Sequence, residues 1–217
     1  MANFLRFSIF GDYETLSTNN TERYVKLIEL FSREQYIPAT TNEIKLSSNG
    51  QPCAFIMPCF SKGNDINVEI TTSRINFFIS SIENLDVICD RFANEMSGLI
   101  KDFTTDLDIK SNRIAINCNM EFTHTENKEQ APKAIKEAQI VESKNRKLYR
   151  TFINQEMCNV IIEKTDNVSE NTVSYSYDIN TLAENSSFRF NRSNYTEMLN
   201  AMSSIALALN DERDDIK

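Results

Sequence analysis

The hydrophobic positions of this chain change period several times, and each change marks an element. In NFLRFSIFG, Leu5, Phe7 and Ile9 alternate with Phe4, Arg6, Ser8 and Phe10, a period of two that predicts a strand with its apolar side on the odd positions. After the polar STNNT, Tyr24, Leu27, Ile28 and Phe31 recur at steps of three and four, predicting an amphipathic helix capped by Asn20 or Thr21. NEIKLSS and PCAFIMPCF follow around Asn49-Gly50, a hairpin signal, and SKGND turns the chain into INVEI. RINFFIS makes a fourth strand of this run, with Ile75, Phe77 and Ile79 on one face.

From Leu85 the period lengthens again. Ile88, Cys89, Phe92, Met96, Leu99, Ile100 and Phe103 trace one helical stripe, with Ser80 or Asn84 available at its start. Gly98 interrupts it at a cost of about 1 kcal/mol relative to Ala, which predicts close packing at that point. NRIAINCNMEF then alternates cleanly: Ile114, Ile116, Cys118, Met120 and Phe122 on one side, Arg113, Asn117, Asn119 and Glu121 on the other. One buried and one wet face is the signature of an antiparallel sheet covered on a single side. Strands resume at KLYRTFIN, CNVIIEK and TVSYSYDI, the last with Val173, Tyr175, Tyr177 and Ile179 inward. A final helix follows Ser193 and buries Tyr195, Met198, Leu199, Met202, Ile205, Ala206 and Leu209.

Between them, residues 124–147 form a charged insertion too long for an ordinary hairpin connection, within which APKAIKEAQIVES reads as a helix with Pro132 in its first turn. The predicted fold is α+β: a long curved antiparallel sheet, or two joined sheets, in a repeated helix plus four-strand order with the helices packed on one face. The 217 residues suit a single domain, or two intimate halves, 1–82 and 83–217.

The passage TTSRINFFISSIENLDVICDRFANEMSGLIKDF, followed by NRIAINCNMEF and by SYSYDI before the last helix, resembles a sporadically distributed bacterial family of unknown function. In that family the strand after the long helix reads Arg-Ile-Gly-Leu-Arg-Tyr; Arg113 and Ile114 match it, whereas Ala115, Asn117 and Cys118 depart. Asp178-Ile179-Asn180 approximates the Asp-Ile-Asp of a strand near its end. The resemblance implies a bacterial or phage accessory protein, with defence or counter-defence as its setting, and carries over no catalytic residue.

Composition narrows the chemistry. Five cysteines with no C-x-x-C spacing predict free thiols and a reducing, cytoplasmic compartment. Cys53 and Cys59 in CAFIMPC would lie about 20 Å apart along a strand, too far for a disulfide or a shared metal. With both faces of that segment apolar, the expectation is a sandwiched strand with core cysteines. The four glycines are too dispersed for a phosphate-cradling loop, and a single histidine, His124, excludes multi-histidine metal sites. No cofactor and no metal are expected. Asp102, Asp106 and Asp108 lack the glycine and distal glutamate of a calcium loop. Asp178 and Tyr175 alternate to opposite faces of one strand and cannot share a site.

The net charge of −8 disfavours general affinity for nucleic acid or anionic membrane. Against it stands a basic island, Lys133, Lys136, Lys144, Arg146, Lys147 and Arg150, which is the candidate partner-binding set. Arg189 and Arg192 beside aromatics at the last helix are a lesser anion candidate. The sequence is therefore read as a non-enzymatic protein-binding or regulatory protein, its partner another protein or a second copy of itself as a homodimer. A nucleic-acid binder acting through residues 133–150 is the alternative, and an enzyme of unrecognised class the third.

Overall fold

The computed structural model describes residues 3–63, 65–81, 83–123, 139–142, 146–167, 172–183, 187, 189–191 and 194–212. The elements are β1 (Asn3–Phe10), α1 (Thr21–Arg33), β2 (Ile37–Leu46), β3 (Pro52–Lys62), β4 (Ile66–Ile70), β5 (Arg74–Ser81) and α2 (Leu85–Asp106), then β6 (Arg113–Thr123), β7 (Gln139–Glu142), β8 (Arg146–Ile153), β9 (Glu156–Asn167), β10 (Thr172–Thr181) and α3 (Tyr195–Asp211). The strands form one antiparallel sheet of ten, in the order β2-β3-β4-β5-β1-β6-β10-β9-β8-β7, not closed into a barrel. The α+β expectation holds.

The strand order carries a topological dyad. β1 and β6 lie side by side at the centre, each followed outward by the strand that closes its own run, β5 or β10. The two runs then reach opposite edges, at β2 and β7, and end in the helices α2 and α3. Five strands, not the expected four, follow α2, because Gln139–Glu142 within the stretch read as a helix is β7. Its spacing of Ala134, Ala138 and Val141 suits a helix, yet Ile140 and Val141 are β-branched and the segment pairs with β8, so cross-strand pairing wins. The rest of that predicted helix, 131–138 and 143, lies outside the described residues, as does His124.

The core sits where the helices meet the central strands. Leu5, Phe7 and Ile9 on β1, Ile75, Phe77 and Ile79 on β5, Ile114, Ile116 and Cys118 on β6, and Tyr177 and Ile179 on β10 are all fully buried. Each set follows the period of two, so a one-residue slip would turn every one of these side chains to the other face. The predicted stripe of α2 is likewise buried along its whole length. Under the first run of strands the packing is aromatic: Phe31 of α1 stacks on Phe60 of β3 with ring centroids 3.9 Å apart, and Phe103 of α2 meets Phe31 and Phe77 edge-on at 5.9 and 5.8 Å. Such pairs add about 0.5–1.5 kcal/mol each beyond area burial.

Local chemistry fixes the helix ends. Asn20 caps α1, its side-chain oxygen accepting from the Arg23 amide at 3.3 Å. The Arg23 guanidinium donates to the Leu107 carbonyl at 3.1 Å, supplying positive charge where α2 ends without a basic residue of its own. Gly98 departs from expectation: it is exposed, and a methyl group built on it would meet nothing, so no close packing explains it. Arg91 ties α2 to the β3–β4 turn through Asp65 at 2.7 Å, with Glu83 and Glu95 beside it at 3.5 and 3.7 Å.

Candidate functional site: the outer hairpin and the open sheet face

β3 leaves the sheet because β4 is short. β4 has five residues and pairs only with Cys59–Lys62, so the first part of β3 runs on past the β4–β5 turn and takes β2 with it. The result is a two-stranded arm with an unusual exposure pattern. On the helix side of the sheet, the face that Phe60 continues into the core, Ile44, Leu46, Pro52, Ala54 and Ile56 stand beyond the reach of α1 and α2 and are all exposed. Ile44 is 74% exposed, Leu46 69% and Ile56 44%, values ordinarily avoided for large aliphatic side chains grouped together. The strand expected to be sandwiched from the apolar character of both faces is so only at its inner end, where Met57 on one face and Pro58 and Phe60 on the other are buried; its outer part projects. Cys53 is exposed and Cys59 half-buried, so the expectation of two core cysteines is corrected; the buried cysteines are Cys89, Cys118 and Cys158.

The other face of the arm is braced. Glu43 accepts from the Thr72 amide at 2.7 Å and from its hydroxyl at 2.9 Å, and Lys45 pairs with Glu14 in the turn that precedes α1. The Thr18 amide donates to the Ile56 carbonyl at 2.9 Å, covering the edge of β3 that β4 leaves open. The arm therefore has a fixed, preorganised geometry although one of its faces meets solvent.

The outer edge of β2 follows from the same hydrogen bonds. In an antiparallel pair, residues alternate between those whose N–H and C=O point to the neighbour and those whose groups point away. The Ser47 amide reaches across to the Gln51 carbonyl at 2.9 Å, which places Lys45, Glu43 and Thr41 in the set facing β3. Thr40, Asn42, Ile44 and Leu46 then present their backbone groups outward, where among the described residues no strand pairs with them. Pro38 falls in the outward set, where a missing N–H breaks no ladder bond.

The open face of the central sheet is polar, as the alternation of β6 requires, with Asn117 and Asn119 partly exposed. It also holds a feature the sequence did not disclose. Ser8 and Asn76 are buried on it, the Ser8 hydroxyl donating to Asn76 Oδ1 at 2.8 Å and the Asn76 amide to Glu69 at 3.3 Å, a polar chain across β1, β5 and β4. Only the strand register brings these three together. Nearby, Arg113 lies over the Phe10 ring at 4.8 Å, and Phe4 packs against Phe78 at 5.5 Å.

The basic island is divided. Lys133, Lys136 and Lys144 lie outside the described residues. Arg146 and Arg150 of β8 are exposed on the open face, opposite Glu163 and Asn159, and Arg150 donates to Asn159 at 3.3 Å. Lys147 is opposite Ile162 and takes the helix-side face, since successive residues of a strand alternate. Arg189 is spent structurally, bonded to Glu156 at 3.0 Å and to the carbonyls of Asn112 and Leu182 at 2.7 and 3.2 Å; Arg192 lies outside the described residues. A second, smaller apolar pair, Phe152 and Met157, stands exposed at the end of the β8–β9 hairpin.

Among the described residues no three His, Cys, Asp or Glu side chains converge as metal ligands, and no helix is long and apolar enough to cross a membrane. Burial drives the buried thiols away from reactivity: Cys89 and Cys158 are each pushed up to about 12, chiefly by desolvation, and Cys118 well above its usual value for the same reason. Neither a family model nor a curated protein nor a solved structure matches the chain.

Proposed function

We propose that this chain is a non-catalytic protein-binding module that engages its partner through the outer hairpin β2–β3. The observation that carries this reading is the combination of a ten-residue edge strand, with no neighbour on its outer side among the described residues, and a grouped, exposed apolar face on a braced arm. An exposed edge offers main-chain hydrogen bonds to an incoming strand, and alternate side-chain positions beside it give selectivity. Preorganisation by Glu43, Thr72 and the Thr18–Ile56 bond lowers the ordering cost of binding. The setting implied by the family resemblance, a bacterial or phage accessory factor, is compatible with such a module.

The nucleic-acid reading rests on Arg146 and Arg150, exposed on one face of β8. It has less support, because Arg150 already bonds Asn159 and Arg146 stands opposite Glu163. Capture of partners from the native host by the tagged chain separates the two. Ile44→Glu with Leu46→Glu should abolish capture while the fold, which buries neither side chain, is unchanged. Arg146→Glu with Arg150→Glu should leave it intact. If instead only the arginine variant loses a partner, and that binding falls steeply with salt, the nucleic-acid reading replaces this one.

A further inference from the structure

We infer that the outer edge of β2 is occupied by β2 of a second copy of this chain, in an antiparallel register centred on Ile44. The inference rests on the reading of the hairpin as the binding element and names its partner. The outward-facing backbone set is Thr40, Asn42, Ile44 and Leu46, so a symmetric pairing that uses the free N–H and C=O groups must match members of this set with one another.

Side chains choose among the registers that remain. Centring the dyad at Glu43 would set two carboxylates face to face, and like charges directly opposite are destabilising. Centring at Asn42 sets Glu43 against Thr41 and Lys45 against Ala39, which leaves both charges without a complement. Centring at Ile44 sets Glu43 of each copy opposite Lys45 of the other, twice by symmetry, with Ile44 against its own counterpart and Leu46 against Asn42. Residues directly opposite in an antiparallel pair share a face. The two exposed apolar groups, Ile44, Leu46 and Ile56 from each copy, would then merge on one side of a sheet continuous through both molecules. Both charges are already held at the strand, Glu43 by Thr72 and Lys45 by Glu14, so neither side chain has far to move.

The edge itself is open to such a pairing. Protein edges are commonly blunted by short strands, bulges, prolines or inward charges. β2 runs for ten residues in unbroken register, and its proline is at Pro38, outside the stretch that this pairing would use, Asn42 to Leu46 of each copy.

Charge reversal tests the register directly by sedimentation of the purified chain at tens of micromolar. The wild-type chain should sediment as a dimer. Glu43→Lys alone sets lysines against lysines, Lys45→Glu alone sets carboxylates against carboxylates, and each should weaken the dimer about tenfold, two cross-strand pairs being reversed at once. An equimolar mixture of the two single variants restores both opposite-charge pairs and should recover a heterodimer. The double variant Glu43→Lys with Lys45→Glu should recover a homodimer although it loses the Thr72 and Glu14 contacts, which separates pairing between copies from bracing within one. A wild-type chain that stays monomeric overturns the inference; if host capture through Ile44 and Leu46 persists in that case, the binding role of the hairpin stands with another partner. A dimer that ignores both single reversals, or a mixture that fails to rescue, overturns the register.

Discussion

The two edges of the sheet occupy equivalent places about the topological dyad and have been built in opposite ways. β2 is ten residues long and regular, joined to β3 by an unbroken register. β7 is four residues long, and its register with β8 shifts between Ile140 and Glu142. A short, irregular strand is a poor template for a further strand, whereas a long regular one is a good template. Among the described residues, the same topology thus ends in a short, irregular edge on one side and a long, regular one on the other. The asymmetry resides in strand length and side-chain placement, and these are cheap to alter without touching the shared core.

The largest expected effect strikes the anchor of the open edge. Phe60→Ala removes the ring stacked on Phe31 at the root of the arm and should cost about 3–5 kcal/mol in chemical denaturation, with the arm exchanging its amides faster than β8 and β9. Equal loosening at both edges would show that the arm has no independent anchor.

Alkali should come next. The raised thiols of Cys89, Cys118 and Cys158, with Tyr195 pushed up to about 12 by burial, keep their protons in the folded state after an unfolded chain would release them. Folded pKa values above unfolded ones give stability that is complete below about pH 8.5, the ordinary thiol value, and that falls as pH rises from there toward 12. Thermal melts across that window should decline steadily. Maleimide at neutral pH should meanwhile label Cys53 on the arm first and leave these three cysteines unmodified, so the labelling order separates the arm from the core.

A smaller change separates bracing from anchoring. Glu43→Ala deletes both bonds to Thr72 and should cost at most about 1.5–3 kcal/mol in charge-assisted hydrogen bonding, lowered by partial exposure, and hydrogen exchange should localise the loss to the arm. The smallest effect is a gain. Gly98→Ala adds a methyl into open space on α2 and should raise stability by about 1 kcal/mol without altering self-association, because α2 packs on β1, β5 and the other two helices, away from β2.

Legibility in the sequence followed the same division. Where a strand is covered on one side and wet on the other, its alternation announces it, and β1, β5, β6 and β10 were readable to the facing of individual side chains. The stripe of α2 was equally plain, since Ile88 to Phe103 keep the helical period throughout. The arm was not readable. CAFIMPC is apolar on both faces, which describes a sandwiched strand as well as a projecting one, and what decides between them is that β4 stops after five residues and α1 after thirteen. Those are facts about neighbours. The polar chain of Ser8, Asn76 and Glu69 was hidden for a related reason, its members lying 68 and 7 residues apart and meeting only through register. Of the basic island, part of the division was legible, since KLYRTFIN reads as a strand and its period of two sets Lys147 and Arg150 on opposite faces; that the strand begins at Arg146, which joins Arg150, was not.

The central pairing of β1 with β6 also sets a timetable for synthesis. β1 emerges from the ribosome before either of its neighbours, and its second neighbour is not made until after α2, so the half containing β1–α2 waits with an unpaired central edge. The link from α2 to β6 is short, residues 107–112, and at about 5–20 residues per second that edge is sealed within roughly a second or two of the helix. β6 then exposes its own free side, and the wait is longer, since about 50 residues separate it from β10 and take roughly 3–10 s at the same rates. The vulnerable nascent species is thus a six-stranded sheet ending at β6, and a chaperone that protects this chain during translation would be needed at β6 rather than at the arm.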